Sequence, residues 1–315
     1  MFVHIRGRGT YSMLEGIWSN TSILMRAKEL WQEAIALTDL NGVYGVVDFY
    51  SKAQWIGVQP LIGVELPYIP QRSILGNDKS ALAHAGTLTL LALSETWYHN
   101  LLSLVSAAYD KAHFEIPCLD NEILSQYAKD MVVIIGGIAS YAYQSLLLSN
   151  DPGKLTGHID TICAIMWKEQ TIIDITAQSY QHYPILKQLD KLLLAWATQQ
   201  ELMIVTSSGY LYQYKDQKNA YETALAIKDN TRTYNSDTRK VAWDHHILTE
   251  DDVRTILTKN GHASDAIALW IENTWKIAAQ SSVAINLWQA LFPNYEVSEE
   301  MMTLYENNKD ILIQE

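Results

Sequence analysis

Phe2-Val3-His4-Ile5-Arg6-Gly7-Arg8-Gly9-Thr10-Tyr11-Ser12-Met13-Leu14-Glu15-Gly16 opens the chain, and its first apolar residues, Phe2 to Ile5, read as a strand that begins almost at once. Further runs of strand length follow at Ala34 to Thr38, Pro60 to Glu65, Thr87 to Leu93, Met131 to Gly136, Thr171 to Thr176 and Leu202 to Thr206. Between them, Ser22 to Leu30, Gly45 to Trp55, Tyr98 to Tyr109 and Pro184 to Gln199 carry apolar residues three and four apart, the spacing of a helix with one buried face. Seven strands alternating with amphipathic helices predict an α/β fold of repeated βα units around a parallel sheet or barrel.

Beyond Gln213 the pattern turns mainly helical. Thr249-Glu250-Asp251-Asp252 has the capping and acidic residues of a helix start, and Ser264 to Ala279 reads as a further helix. From Phe292-Pro293-Asn294 to Glu315 the chain is polar and acidic, which is expected of a linker inside a longer protein. The expected organisation is a barrel core over 1–210, a helical continuation over 211–285, and a linker starting within 286–315.

Composition narrows the function. At 315 residues and 48% hydrophobic content the chain can bury a large core. No apolar run reaches the length of a membrane span and no leader is visible, so a cytoplasmic location is expected. Cys118 and Cys163 are far apart and lack the pairing of a zinc knuckle or disulfide framework. A net charge of -12 without a Lys/Arg run argues against a broad grip on nucleic-acid phosphates. The 18 tyrosines and 10 tryptophans lack interleaved cations and read as packing, not as base-stacking platforms. There is no Walker A, GxGxxG or GxSxG motif.

The opening segment resembles the start of the bacterial DNA polymerase III alpha subunits, and so do several later blocks. These are Ala36-Leu37-Thr38-Asp39, Gly42-Val43-Tyr44-Gly45-Val46-Val47-Asp48-Phe49-Tyr50, Pro60-Leu61-Ile62-Gly63-Val64-Glu65, Leu88-Thr89-Leu90-Leu91-Ala92, Tyr98-His99-Asn100-Leu101 and Glu272-Asn273-Thr274. They come in the family's order and near its spacing. The resemblance implies an N-terminal PHP domain: a distorted, TIM-like barrel of seven strands followed by a helical segment leading toward a polymerase palm. In its active forms metal ions sit at the C-terminal strand ends and phosphoesters are hydrolysed there, in keeping with the general rule for such barrels.

Against that family pattern the metal ligands are mostly missing. A metal-assisted phosphoesterase needs clustered His, Asp and Glu to neutralise its ions and generate hydroxide. Where active members carry a His-x-His pair, this sequence has Arg6 and Arg8, whose guanidiniums stay protonated and cannot bind a cation. The family's Asp-His becomes Asp39-Leu40. Thr87 stands for a His, Gly137 for a Cys, Gln178 lies near a later His, and Ser207-Ser208-Gly209 replaces an Asp-x-His pair. Asp39 and Glu65 alone remain as possible ligands, either as a weak hard-cation site or as partners of Arg6 and Arg8 in a salt-bridge cluster. The expectation is that cluster, with no cofactor in this chain; the Mg²⁺ of the family's polymerase chemistry belongs to domains outside it. His4, His84, His99, His113, His158, His182, His245, His246 and His262 show no ligand spacing and are expected to be solvated or capping.

The expected role is therefore a non-catalytic module of a DNA-directed DNA polymerase in DNA replication. It would brace the rest of the alpha subunit and meet the proofreading exonuclease epsilon subunit, without direct DNA binding and without a membrane. The alternatives are a metal-dependent phosphoesterase or 3′-5′ exonuclease, and a free-standing PHP-like protein. Trp31 and Trp97 stand where the family usually carries glycine, and position 31 falls where a left-handed residue should end the first helix. A source that reads a stop codon as glycine would account for both.

Overall fold

The computed structural model describes residues 1–76, 82, 85–113, 115–128, 130–234, 238–242, 244–287 and 297–312. The chain divides into two compact units, Met1–Ile285 and Asn286–Glu315. His84 and the Phe292-Pro293-Asn294 stretch lie outside the described residues.

In Met1–Ile285 the apolar runs form β1 (Ala34–Leu40), β2 (Gln59–Pro67), β3 (Thr87–Ala92), β4 (Val132–Gly136), β5 (Thr171–Asp174) and β6 (Met203–Val205), hydrogen-bonded in chain order in one sheet. β1, β4 and β5 are buried along almost their whole length. This is why they read as continuous apolar runs and not as alternating ones. Alternate residues still separate into two faces. Ile35 and Leu37 pack with Ile23, Leu24 and Phe49 on the helical side. Ala34 and Ala36 join Val3, Ile5, Leu61, Leu91, Ile134 and Ile172 in a second cluster on the opposite, inner face.

Two expectations need correction. The opening segment is joined by isolated bridges and is not a full strand: His4 pairs with Ile35 of β1, and Gly7 pairs with Tyr210, beyond β6. Those bridges tie the two ends of the sheet together, so the barrel closes on a segment that contributes little ladder of its own. In addition, β3 runs antiparallel to both β2 and β4, while β1/β2, β4/β5 and β5/β6 are parallel. A parallel pair needs a long crossover, usually helical. Between β2 and β3 the described residues supply only a short 3₁₀ turn, Arg72–Ile74, so the chain returns antiparallel.

The helices are α1 (Asn20–Glu29), α2 (Val46–Ile56), α3 (Glu95–Asp110), α4 (Asn121–Tyr127), α5 (Tyr141–Ser149), α6 (Pro152–Met166), α7 (Pro184–Gln200), α8 (Lys218–Lys228), α9 (Glu250–Lys259) and α10 (Ser264–Gln280). In α9 Thr249 and Asp252 form a reciprocal capping box, which satisfies two orphan N–H groups. Ile277 and Ala278 of α10 pack into the inner cluster, and Thr274 accepts the Val3 N–H at 3.0 Å. Asn286–Glu315 contains α11 (Glu299–Leu312), described by itself.

Helix α1 ends in a Schellman motif: the Gln32 N–H bonds the Ala27 carbonyl and the Trp31 N–H that of Lys28. Trp31 takes φ 56° and is 90% exposed. Gly57, with φ 79°, ends α2 in the same left-handed conformation. Trp97 sits in a different setting. It lies in the first turn of α3, its N–H bonded to the capping Ser94 hydroxyl, and no left-handed residue is called for there.

Candidate functional site

The C-terminal strand ends bring together Asp39 of β1, Glu65 of β2, Gly136-Gly137 at the end of β4, Asp174 of β5 and Ser207-Ser208-Gly209 beyond β6. The opening segment then lays Arg6 and Arg8 across them. Both guanidiniums are buried, with 5% and 7% of the residue surface exposed.

Arg8 is fully engaged. Its Nε and Nη2 donate to Glu65 Oε2 at 3.0 and 2.5 Å, and its Nη1 donates to Glu15 Oε2 at 2.8 Å. Burial alone would depress its pKa, but Glu65 and Glu15 outweigh burial and hold it above the ordinary arginine value. Glu15 is itself held below the usual carboxylate range: burial opposes this, while Arg8 and Lys228 prevail.

Arg6 bridges two carboxylates at longer range, with Nη2 3.4 Å from Asp174 Oδ2 and Nε 3.9 Å from Glu65 Oε1. Its Nη1 donates to the Gly136 carbonyl at 2.9 Å. Gly137 makes room for it: φ is 82°, and a Cβ there would lie 2.1 Å from Arg6 Nη2. Gly137 is thus the residue whose missing side chain admits the arginine.

Asp39 does not join the arginines, which corrects the expected cluster. Its Oδ1 accepts from the Gly9 N–H at 2.8 Å and the Ser12 hydroxyl at 2.7 Å. Burial pushes its pKa up, opposed by those two bonds and by the Arg8 charge. Leu40 follows it, half-buried, and bonds through its N–H to Ser12 Oγ. Thr87 is also apart, donating to the Ala139 carbonyl at 3.2 Å. Gln178 is fully buried, and its Nε2 donates to the Ser208 carbonyl at 3.0 Å.

Asp174 and Glu15, absent from the expected set, are the acids that complete it. Asp174 Oδ2 accepts from Ser207 Oγ at 2.6 Å and Thr176 Oγ1 at 2.9 Å. Its signal was available in part, since it lies in the second half of the Thr171 to Thr176 run read as a strand, toward the end where a barrel places its chemistry. Glu15 lies on a turn, and nothing in its neighbours marks it.

Two histidines expected to be solvated or capping are core groups instead. His4 bonds Ser208 Oγ at 2.9 Å and the Leu248 carbonyl at 3.0 Å, and burial lowers its pKa to about 4. His245 is lowered to about 4 by burial, with Arg6 and Arg8 adding to the effect. Over this floor opens a cavity of about 380 Å³, bounded among others by Arg6, Arg8, Tyr183, Tyr210, Tyr221 and His245.

A PHP domain profile matches residues 4–183. The chain belongs to the PHP domain family. The PHP chain is 28% identical to the DNA polymerase III subunit alpha of Thermus aquaticus over 291 residues, 90% of this chain and 23% of that protein. It is 30% identical to that of Deinococcus radiodurans over 242 residues, 72% of this chain and 17% of that protein. It therefore spans about a quarter or less of the length of these relatives. Among solved structures it is similar to an amidohydrolase from Chromobacterium violaceum at a TM-score of 0.44 and 10% identity, covering 67% of this chain and 88% of that one.

As a metal centre the PHP pocket is poorly provided. Among the described residues no three His, Cys, Asp or Glu are grouped to share an ion. Glu65, the best-placed acid, is bonded to Arg8 through one oxygen and to Thr38 through the other. A cation there would also face the charges of Arg6 and Arg8, so the donor set does not fit a divalent ion.

Proposed function

We propose that this PHP domain belongs to a DNA polymerase III alpha subunit and acts within it as a non-catalytic structural and partner-binding module. One observation carries this: Arg6 and Arg8, paired with Glu65, Asp174 and Glu15, occupy the strand ends where hydrolysis would need imidazoles and free carboxylates. The polymerase relatives supply the context. The cluster cross-links the opening segment to β2 and β5, so it holds the barrel shut without an ion. Its partners are the remainder of the alpha subunit and the proofreading exonuclease epsilon subunit. A net charge of -12 favours protein partners over DNA for this domain.

The test is hydrolysis of a chromogenic phosphoester by the purified chain in added Mn²⁺ and Zn²⁺, alongside co-purification with the exonuclease subunit of the same organism. No turnover together with a stable complex is expected. Metal-dependent turnover abolished by Glu65→Gln would overturn the proposal.

A further inference from the structure

We infer that Trp31 and Trp167 mark positions where the source cell's own ribosomes place glycine, the codon there being a triplet that other codes read as stop. The triplet UGA differs from the tryptophan triplet UGG in its last base, so one reading of the gene gives tryptophan and another gives glycine.

The backbone carries the inference. Among the described residues nine non-glycines have positive φ; four of them are Asn or Asp, which visit that region readily, and two are the tryptophans at 31 and 167. Trp31 closes the Schellman motif of α1 with φ 56°, at the place where glycine is the usual choice. Trp167 is the sharper case. It joins α6 to the 3₁₀ turn Lys168–Gln170 with φ 63° and ψ 155°, a region essentially reserved for glycine. The chain fixes that conformation, since the Trp167 carbonyl accepts from the Gln170 N–H at 3.3 Å and from Thr171 Oγ1 at 3.0 Å.

Neither indole offsets the strain by burial, for Trp31 is 90% exposed and Trp167 62%. Trp196 and Trp270 show the opposite setting. They lie inside α7 and α10 and are buried; the Trp196 Nε1 donates to Asp160 Oδ1 at 2.8 Å, and the Trp270 ring meets His262 edge-on. Composition agrees: ten tryptophans stand against four phenylalanines, and there are 15 glycines where ordinary usage of about 7% would give about 22. Trp55 and Trp97 lie inside helices, where the backbone does not distinguish the two residues. Exposed tryptophans often anchor protein interfaces. With glycine at 31 and 167 these two surfaces hold no such anchor, and partner docking falls to other parts of the domain.

The experiment is peptide mass spectrometry of the protein isolated from its own cells. The tryptic peptides Glu29–Lys52 and Leu155–Lys168 each hold one of the two positions, and Leu192–Lys215 holds Trp196. The mass of glycine at 31 and 167, with tryptophan at 196, is the expected result; tryptophan at either 31 or 167 overturns the inference. The physical ground is tested separately in the chain carrying tryptophan at all three positions. Trp31→Gly is expected to lower its unfolding equilibrium constant about fivefold and Trp167→Gly about tenfold or more, whereas Trp196→Gly raises it. No gain from either of the first two overturns the conformational argument.

Discussion

Trp31 holds a left-handed backbone while nine-tenths of its surface faces solvent, so its ring recovers little of the conformational cost. A Cβ in that region costs about 1 kcal/mol relative to glycine. Trp31→Gly is therefore expected to stabilise the fold by about 1 kcal/mol, read as a rise in the urea midpoint at constant slope. Gly137 is the reverse case. Gly137→Ala would drive a methyl into Arg6, and a loss of about 3 kcal/mol or more is expected, combining strain with displacement of a buried charge. Gly57→Ala is the control: φ is 79° but a Cβ there meets nothing within 4 Å, so only the conformational cost of about 1 kcal/mol should appear. Equal losses at the two sites would mean that Gly137 does not cradle the arginine. At this scale the sequence was informative wherever backbone chemistry is local, as at position 31. It pointed to Glu65 but named Asp39 in place of Asp174 and Glu15, because those two acids meet Arg6 and Arg8 only through folding.

Among the elements, strands were legible because they are buried on both faces and so read as apolar runs. Their direction was not, because β3 reverses through a connection in which the described residues supply only a 3₁₀ turn, and that reversal has no strong local signature. The opening segment misled for a related reason: Phe2 to Ile5 alternates like a strand, with Phe2 on the helical side and Val3 and Ile5 inside, yet it is joined only by single bridges to β1 and Tyr210. Arg8 and Glu65 tie that segment to β2 across 57 residues. Arg8→Met alone is expected to cost about 3–5 kcal/mol by leaving Glu65 buried without its partner. The double variant Arg8→Met, Glu65→Leu should recover much of that loss, because both charges then leave the interior together. A double-mutant cycle in urea checks it, and additive losses would show that the pair is not a coupled unit.

For the whole molecule, buried ionisable groups set the response to acid. His4 and His245 are neutral in the fold, with pKa values lowered from 6.5 to about 4. The unfolded chain takes up their protons first, so stability is complete above pH 6.5 and falls as pH drops toward 4, by on the order of 3 kcal/mol per histidine. Asp39 and Asp190 have folded pKa values raised by burial, so protonation of the folded form above 3.8 partly offsets that loss. Urea unfolding at pH 7 and pH 5 should show lower stability at pH 5, with a smaller difference in His245→Gln; an unchanged stability would refute the buried neutral state.

Whether the arginines have displaced metal is read most directly from the metal content of the chelator-free PHP chain by plasma mass spectrometry, after incubation with Mn²⁺ and Zn²⁺ and removal of free ions. Arginines tied to Glu65, Asp174 and Glu15 predict far less than one ion per chain. One or more retained ions, lost on Glu65→Gln, would mean that the carboxylates serve a metal and that the arginines stand aside.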